Sequence, residues 1–163
     1  MIRKIQPTEF PPLLREIKKP PKALFVEGGL SPDEKYIAVV GTRKPSPYGK
    51  KMTVRIVQEL SQLGMTIVSG LAVGIDTYAH ETALSSNAKT VAVLGSGLGR
   101  IYPPENRVLA RRIIKNGALV SEYEENMSPL RFNFPERNRI ISGMSIATIV
   151  IEAGEKSGAL ITA

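Results

Sequence analysis

From Tyr36 onward one unit recurs along the chain: a short, β-branched, almost wholly apolar run that stops at Gly or Ser, then a longer stretch with helical periodicity. Runs of four or five apolar residues without alternation suit strands covered on both faces, because neither face meets water. The runs predict strands at Ala23–Val26, Ile37–Val40, Thr66–Ser69, Thr90–Leu94, Ala118–Ser121 and Ala147–Ile151. Between them, helices are predicted at Pro47–Leu63, Asp76–Ser86, Pro104–Asn116 and Arg137–Met144. Gly64 and Gly117 stand at the C-cap positions of two of these helices, and Asp76 is placed to cap the start of a third. Strand–helix alternation of this kind predicts an α/β fold with a doubly wound, mostly parallel sheet and helices on both faces. Prolines cluster at residues 7–21 and 45–47, so residues 1–35 read as an N-terminal arm with a lead-in strand and residues 36–163 as the sheet domain.

Several function classes drop out. No run approaches the roughly 18 apolar residues of a membrane span, and prolines interrupt the N-terminus before a signal-peptide core could form. A cytoplasmic protein without a membrane partner is expected. With no cysteine and the single histidine His80, disulfide scaffolds, thiolate zinc sites, a cysteine nucleophile and His-rich metal sites are excluded, so neither a metal nor another cofactor is expected. The net charge of +7 and a pI near 9.8 suggest a polyanionic partner. That charge is unevenly placed: residues 1–50 hold 10 of the 22 Lys and Arg against 5 of the 15 acids. Lys4, Lys18, Lys19 and Lys22 lie beside prolines and read as a solvated surface, so position has to be judged by motif.

Ligands of open α/β sheets bind outside the carboxyl ends of the strands, and there this sequence is unusual. The predicted strands lead into Gly41-Thr42-Arg43-Lys44-Pro45-Ser46, Gly70-Leu71-Ala72-Val73-Gly74, Gly95-Ser96-Gly97-Leu98-Gly99 and Gly154 through Thr162. Four Gly-rich loops around one crevice would offer backbone N–H groups to phosphate, although any one of them alone reads equally as a tight turn. Neither the Gly-x-Gly-x-x-Gly fingerprint after the first strand nor the P-loop pattern occurs, which disfavours a dinucleotide site. Arginines stand out instead: Arg43 in the first loop, then Arg131, Arg137 and Arg139 around Phe132, Phe134 and Asn138. Guanidinium forks suit phosphate oxygens, and aromatic rings interleaved with amides suit single-stranded nucleic acid. Arg137 and Arg139 flank Asn138 at a helix start and so cannot face one way; a structural partnership with Glu122 or Glu152 is the alternative for one of them. For Phe132 and Phe134 the alternative is core packing.

Two features invite an enzymatic reading. His80 and Asp76 are four residues apart and share a helix face, yet no nucleophile accompanies them, so a helix-capping Asp and a half-buried His are expected. Glu122 and Glu152 end successive strands and are expected to anchor the arginine-bearing loop rather than to act as an acid/base pair. No catalytic residue is assigned.

The same segments, in the same order, resemble the Rossmann-type domain of the DNA processing protein A family (also called Smf). The match runs through Phe10-Pro11, Pro21 to Gly28, Val40-Gly41-Thr42-Arg43, Val68 through Asp76 to His80, Val91 to Gly95, Ile101-Tyr102-Pro103, Leu119 to Glu122, Phe134 through Ile141, and Ser157-Gly158 with Leu160 and Thr162. The resemblance implies a bacterial single-stranded DNA binder, indifferent to sequence, that protects incoming DNA in natural transformation and helps load the RecA recombinase as a homodimer without catalysing a reaction. It implies that Arg43 holds phosphate and that Arg131 and Phe134 are the basic and aromatic members of the DNA pocket. Arg137, Asn138 and Arg139 occupy the family's Arg-Asn-Arg motif, and Gly41, Thr42, Ser157, Gly158 and Thr162 complete the DNA-binding set. Thr42 stands where Ser is usual and keeps the hydroxyl, and Glu136 adds an acid beside the pocket. Family members continue beyond the point matching Ala163, so this domain is expected to be incomplete and the homodimer and RecA contacts to lie past that residue.

A rival from another class shares the broad fold: nucleotide-binding enzymes resembling the cytokinin-activating phosphoribohydrolases. Those use Pro-Gly-Gly-x-Gly-Thr-x-x-Glu in the final loop, whereas Ser157 to Ala163 supplies no such Glu. A sensor of free nucleotide in the same crevice is the third reading.

Overall fold

The structure, a computed structural model, describes residues 1–154 and 158–162. In chain order the elements are β1 (Ile2–Ile5), α1 (Pro12–Arg15), β2 (Leu24–Gly28), β3 (Tyr36–Gly41), α2 (Pro47–Gln62), β4 (Thr66–Ser69), α3 (Ile75–Ser85), β5 (Thr90–Leu94), α4 (Arg107–Lys115), β6 (Gly117–Ser121), α5 (Asn133–Gly143), β7 (Thr148–Ile151) and α6 (Gly158–Thr162). The strands form one sheet in the order β1-β2-β6-β5-β4-β3-β7. The five strands from β6 to β7 are mutually parallel, while β1 and β2 extend the sheet antiparallel. The fold is therefore the doubly wound, Rossmann-like α/β architecture predicted.

Alternate residues of each strand feed opposite layers. Ala38 and Val40 pack with Phe10, Leu14, Ile140 and Ile141 beneath α1 and α5. Ile37 and Val39 pack with Val57, Ile75, Ala79 and Ala83 beneath α2 and α3. Strands clad on both sides need the continuous apolar runs seen in the sequence.

Four local features depart from expectation. β1 was not anticipated: Ile-Arg-Lys-Ile is short, and its buried Ile5 registers opposite Leu24 in the antiparallel ladder. The helix start placed at Arg137 begins at Asn133, because Pro135 fits a first turn whose amides lack helical partners. Asp76 does not cap α3; Gly74 does, at φ +89°, and Asp76 lies in the first turn with its carboxylate reaching back to the preceding loop. Gly117 opens β6 rather than capping α4, whose C-cap is Asn116. Gly64 at φ +74° follows α2 in the left-handed conformation typical of a helix end.

After β3 the chain steps outward through β4, β5 and β6, then crosses back to place β7 on the opposite side of β3. Loops leaving β3 and β7 therefore diverge at a topological switch point, where such sheets hold ligands.

Candidate nucleic-acid interface

A crevice of about 640 Å³ opens at this switch point, within the range of ligand-sized clefts. Its floor and one wall come from the turn after β3. Gly41 ends the strand, the Thr42 amide donates to Glu152 O (2.8 Å), and Thr42 O accepts from the Ile75 amide (3.1 Å). The Glu152 carboxylate accepts from the Ser46 amide (2.8 Å) and the Ser46 hydroxyl, while Ser46 Oγ accepts from Gly49 N as the N-cap of α2. These Ser46 bonds hold the Glu152 carboxyl below its ordinary value. So braced, the turn presents Arg43 to solvent on the crevice rim.

The facing wall is the first turn of α5. Phe134 is half-buried, with its ring 5.7 Å from that of Tyr102 at 51°, and the Arg137 guanidinium lies 5.8 Å from the Phe134 centroid. Residues 134, 137 and 138 are three and four apart, which puts them on one helix face. Arg131 precedes them, exposed at the rim.

Arg137 lines the crevice but is only 6% exposed. Its Nη1 donates to Gly70 O (2.8 Å) and Val93 O, and its Nε donates to Asn138 Oδ1 (3.0 Å), so the guanidinium ties α5 to two strand ends. Burial pulls Arg137 down to about 10, and it stays charged at neutral pH. Asp76 lies on the other side of Gly70, accepting from the Gly70 and Ala72 amides. Burial pushes its carboxyl up, against the pull of Arg137 and those amides. A Cβ on Gly70 would lie 2.7 Å from Arg137 Nη2 and 2.8 Å from Asp76 Oδ2, so only glycine fits between these groups.

The predicted site residues separate accordingly. Gly41, Thr42, Arg43, Arg131, Phe134, Arg137, Asn138 and Thr162 meet in the crevice. Gly158 opens α6, and Ser157 lies outside the described residues. The structure does not bring Arg139 there: its Nη2 donates to both Glu122 oxygens at 2.7 Å, fastening α5 to the end of β6. Glu122 thus supplies the structural partnership considered from the sequence, whereas Glu152 anchors Ser46 in the arginine-bearing turn. Phe132 is 67% exposed and outside the core. The picture of loops offering amides to phosphate is corrected for the three described after β3, β4 and β5, whose amides are largely committed within the protein: Thr42 N to Glu152 O, Gly70 N to Asp76, Gly97 N to Met127 O and Gly99 N to Glu125 O; residues 155–157 of the fourth lie outside the described residues. The crevice presents side chains instead. Tyr102 and Asp76 were not assigned to it from sequence; the Ile101-Tyr102-Pro103 segment was the available signal.

His80 does not reach the crevice. It is fully buried beside Thr90, and burial lowers its pKa to about 3.

Fold and site together define a Rossmann-like α/β domain with a cationic, aromatic-lined crevice at its switch point. The model of DNA recombination-mediator protein A matches residues 2–163, and the chain belongs to that family. Protein Smf of Synechocystis sp. is 49% identical over 160 residues, covering 95% of this chain and 40% of that protein. DNA processing protein A of Streptococcus pneumoniae superposes with a TM-score of 0.92 at 41% identity, over 99% of this chain and 58% of its own. The protein of the same name from Helicobacter pylori, whose structure was analysed for its single-stranded DNA binding mode, gives 0.91 at 33% identity, over 99% and 74%. The chain spans about half the length of the curated relatives it matches.

Proposed function

We propose that the crevice binds the sugar–phosphate backbone of single-stranded DNA with little sequence preference. The observation that carries this reading is the pairing of two solvent-exposed cations, Arg43 and Arg131, with the Phe134–Tyr102 ring pair in one cleft. Cations can neutralise phosphates while a ring accepts any base on its face, which gives affinity without sequence readout. The single-stranded DNA binding mode described for the Helicobacter pylori relative supports it. Within that reading the protein binds without catalysis: His80, the candidate base, is buried and neutral, and Glu152 is occupied by Ser46. The finer role, protecting incoming DNA and helping load RecA as a cytoplasmic homodimer, is supported by the family's description as a recombination mediator.

Anisotropy of labelled oligo-dT across a salt series tests the reading. Each neutralised phosphate should contribute about 0.7 to the fall of log K with log salt. Arg43→Ala should weaken binding roughly ten- to hundredfold for all sequences alike. A flat salt dependence, equal affinity for duplex, or an unchanged Arg43→Ala in a folded protein defeats it. Release of free base from nucleoside monophosphates would favour the hydrolase instead.

A further inference from the structure

Helix α4 carries a second cationic surface that the charge count conceals, since residues 101–163 hold 8 Lys and Arg against 7 acids. Arg107, Arg111, Arg112 and Lys115 are all exposed, with Val108 among them, and Leu109, Ala110 and Ile113 form the buried face. The helix contains no acid, and among the described residues no carboxylate lies within 4 Å of any of these four cations. Helix stability accounts for Arg112 and Lys115, which lie in the last turn where the dipole favours cations. It does not account for Arg107, which opens the helix at the end where the dipole disfavours positive charge.

The stripe begins five residues along the chain from the crevice wall, with the exposed Glu105 between them. Tyr102 of the crevice wall is followed by the 3₁₀ turn Pro104–Asn106, which leads straight into Arg107. The Asn106 side chain donates to Leu71 O (2.8 Å) and Thr77 Oγ1 (2.9 Å), pinning the start of α4 to the loop that contributes Ala72 to the crevice. Arg107, Arg111 and Lys115 follow at i, i+4 and i+8 along about 12 Å of helix. That length matches roughly three stacked nucleotides at about 3.4 Å each.

We propose that α4 is the continuation of the DNA track: a single strand seated at Arg43 and Phe134 passes Tyr102 and lays its next phosphates along Arg107, Arg111 and Lys115. This rests on the crevice reading above. The apolar face of α4 is committed to the core, so the helix has no hydrophobic side left to insert into a lipid surface.

The test compares oligo-dT of about 5 and about 20 nucleotides on the chain carrying Arg107→Gln, Arg111→Gln and Lys115→Gln together. Affinity for the long strand should fall about a hundredfold near 0.1 M salt and its salt slope by about 2, while the short strand is held within about twofold. Lys18→Gln, Lys19→Gln and Lys22→Gln remove the same charge beside α1, on the other face of the sheet, and should leave both strands unaffected. Arg107→Gln alone relieves an unfavourable dipole contact, so it should fold at least as well and lower the long-strand slope by about 0.7. Unchanged long-strand binding, equal loss for both lengths, or the same loss from the arm lysines overturns the proposal. Phosphatidylserine vesicles captured through these residues without any effect on oligonucleotide also overturn it. If instead Arg43→Ala leaves the short strand bound, the crevice reading fails, whatever the α4 variants do.

Discussion

His80 lies on the buried face of α3, and its hydrogen bonds settle its tautomer. The Thr90 hydroxyl donates to Ile67 O (2.9 Å), so it accepts from His80 Nδ1 (2.7 Å), and Nε2 is left bare with no partner among the described residues. A second proton would be a buried, unpaired charge, which is why burial lowers the pKa to about 3. Above about pH 6.5 the imidazole is neutral folded or unfolded; below it the unfolded chain takes up a proton that the folded chain refuses, so stability falls with pH. Urea unfolding should show a loss of about 2 kcal/mol between pH 7 and 5, and His80→Asn, whose amide can still donate to Thr90, should flatten that slope. An equal slope in the variant would remove His80 as its source. Arg139 shows the same logic at a charge: by sequence it is interchangeable with Arg137, but Glu122 holds it away from the crevice.

Among the elements, the turn from Gly41 to Ser46 is the one that makes the crevice, and its shape comes from β7. Glu152, at φ +52°, bonds Ser46 twice through its carboxylate and Thr42 through its carbonyl. Because these bonds favour the ionised carboxylate, their contribution is complete above the ordinary value near 4.5 and is lost as pH falls through the depressed one. Ser46→Ala should therefore cost about 1 kcal/mol through the lost N-cap alone. It should also speed amide exchange across residues 42–46 and weaken oligonucleotide binding, although Ser46 itself does not line the crevice. Native exchange rates in the variant would show that the turn is held by other contacts. Element α5 makes a complementary point: starting at Asn133 rather than Arg137, it brings Phe134 onto the same face as Arg137 and aims the ring into the cleft.

For the whole molecule, the N-terminal residues are part of the sheet and its core. β1 pairs with β2 along its full length, Ile5 is buried, and Phe10 and Leu14 fill the core beside α5. Deleting residues 1–5 should cost about 2–4 kcal/mol through the lost ladder and the burial of Ile5. It should also bare the β2 edge to association, seen as a lower melting temperature and concentration-dependent light scattering. An unchanged melting temperature would contradict this. Charge also acts at this scale: the crevice cations Arg43 and Arg131 and the α4 stripe draw on different chain segments.

The fold was legible in the sequence because buried parallel strands need continuous apolar runs: Thr66–Ser69 and Thr90–Leu94 are strands over the very residues predicted. β1 was not legible, since two apolar residues in four carry no distinctive period and only pairing with β2 makes them a strand. The crevice was legible in its chemistry, through Arg43 and Arg131 in loops and Phe134, which the structure places in the first turn of α5. Which arginine faces it was decided by tertiary structure alone. Gly70 O, Val93 O and Glu122 come from distant parts of the chain, and they determine that Arg137 is a buried clamp, Arg139 a surface brace and Arg43 exposed to solvent. Residue type fixes what a side chain can bind, but its partners are brought within reach only when the sheet closes.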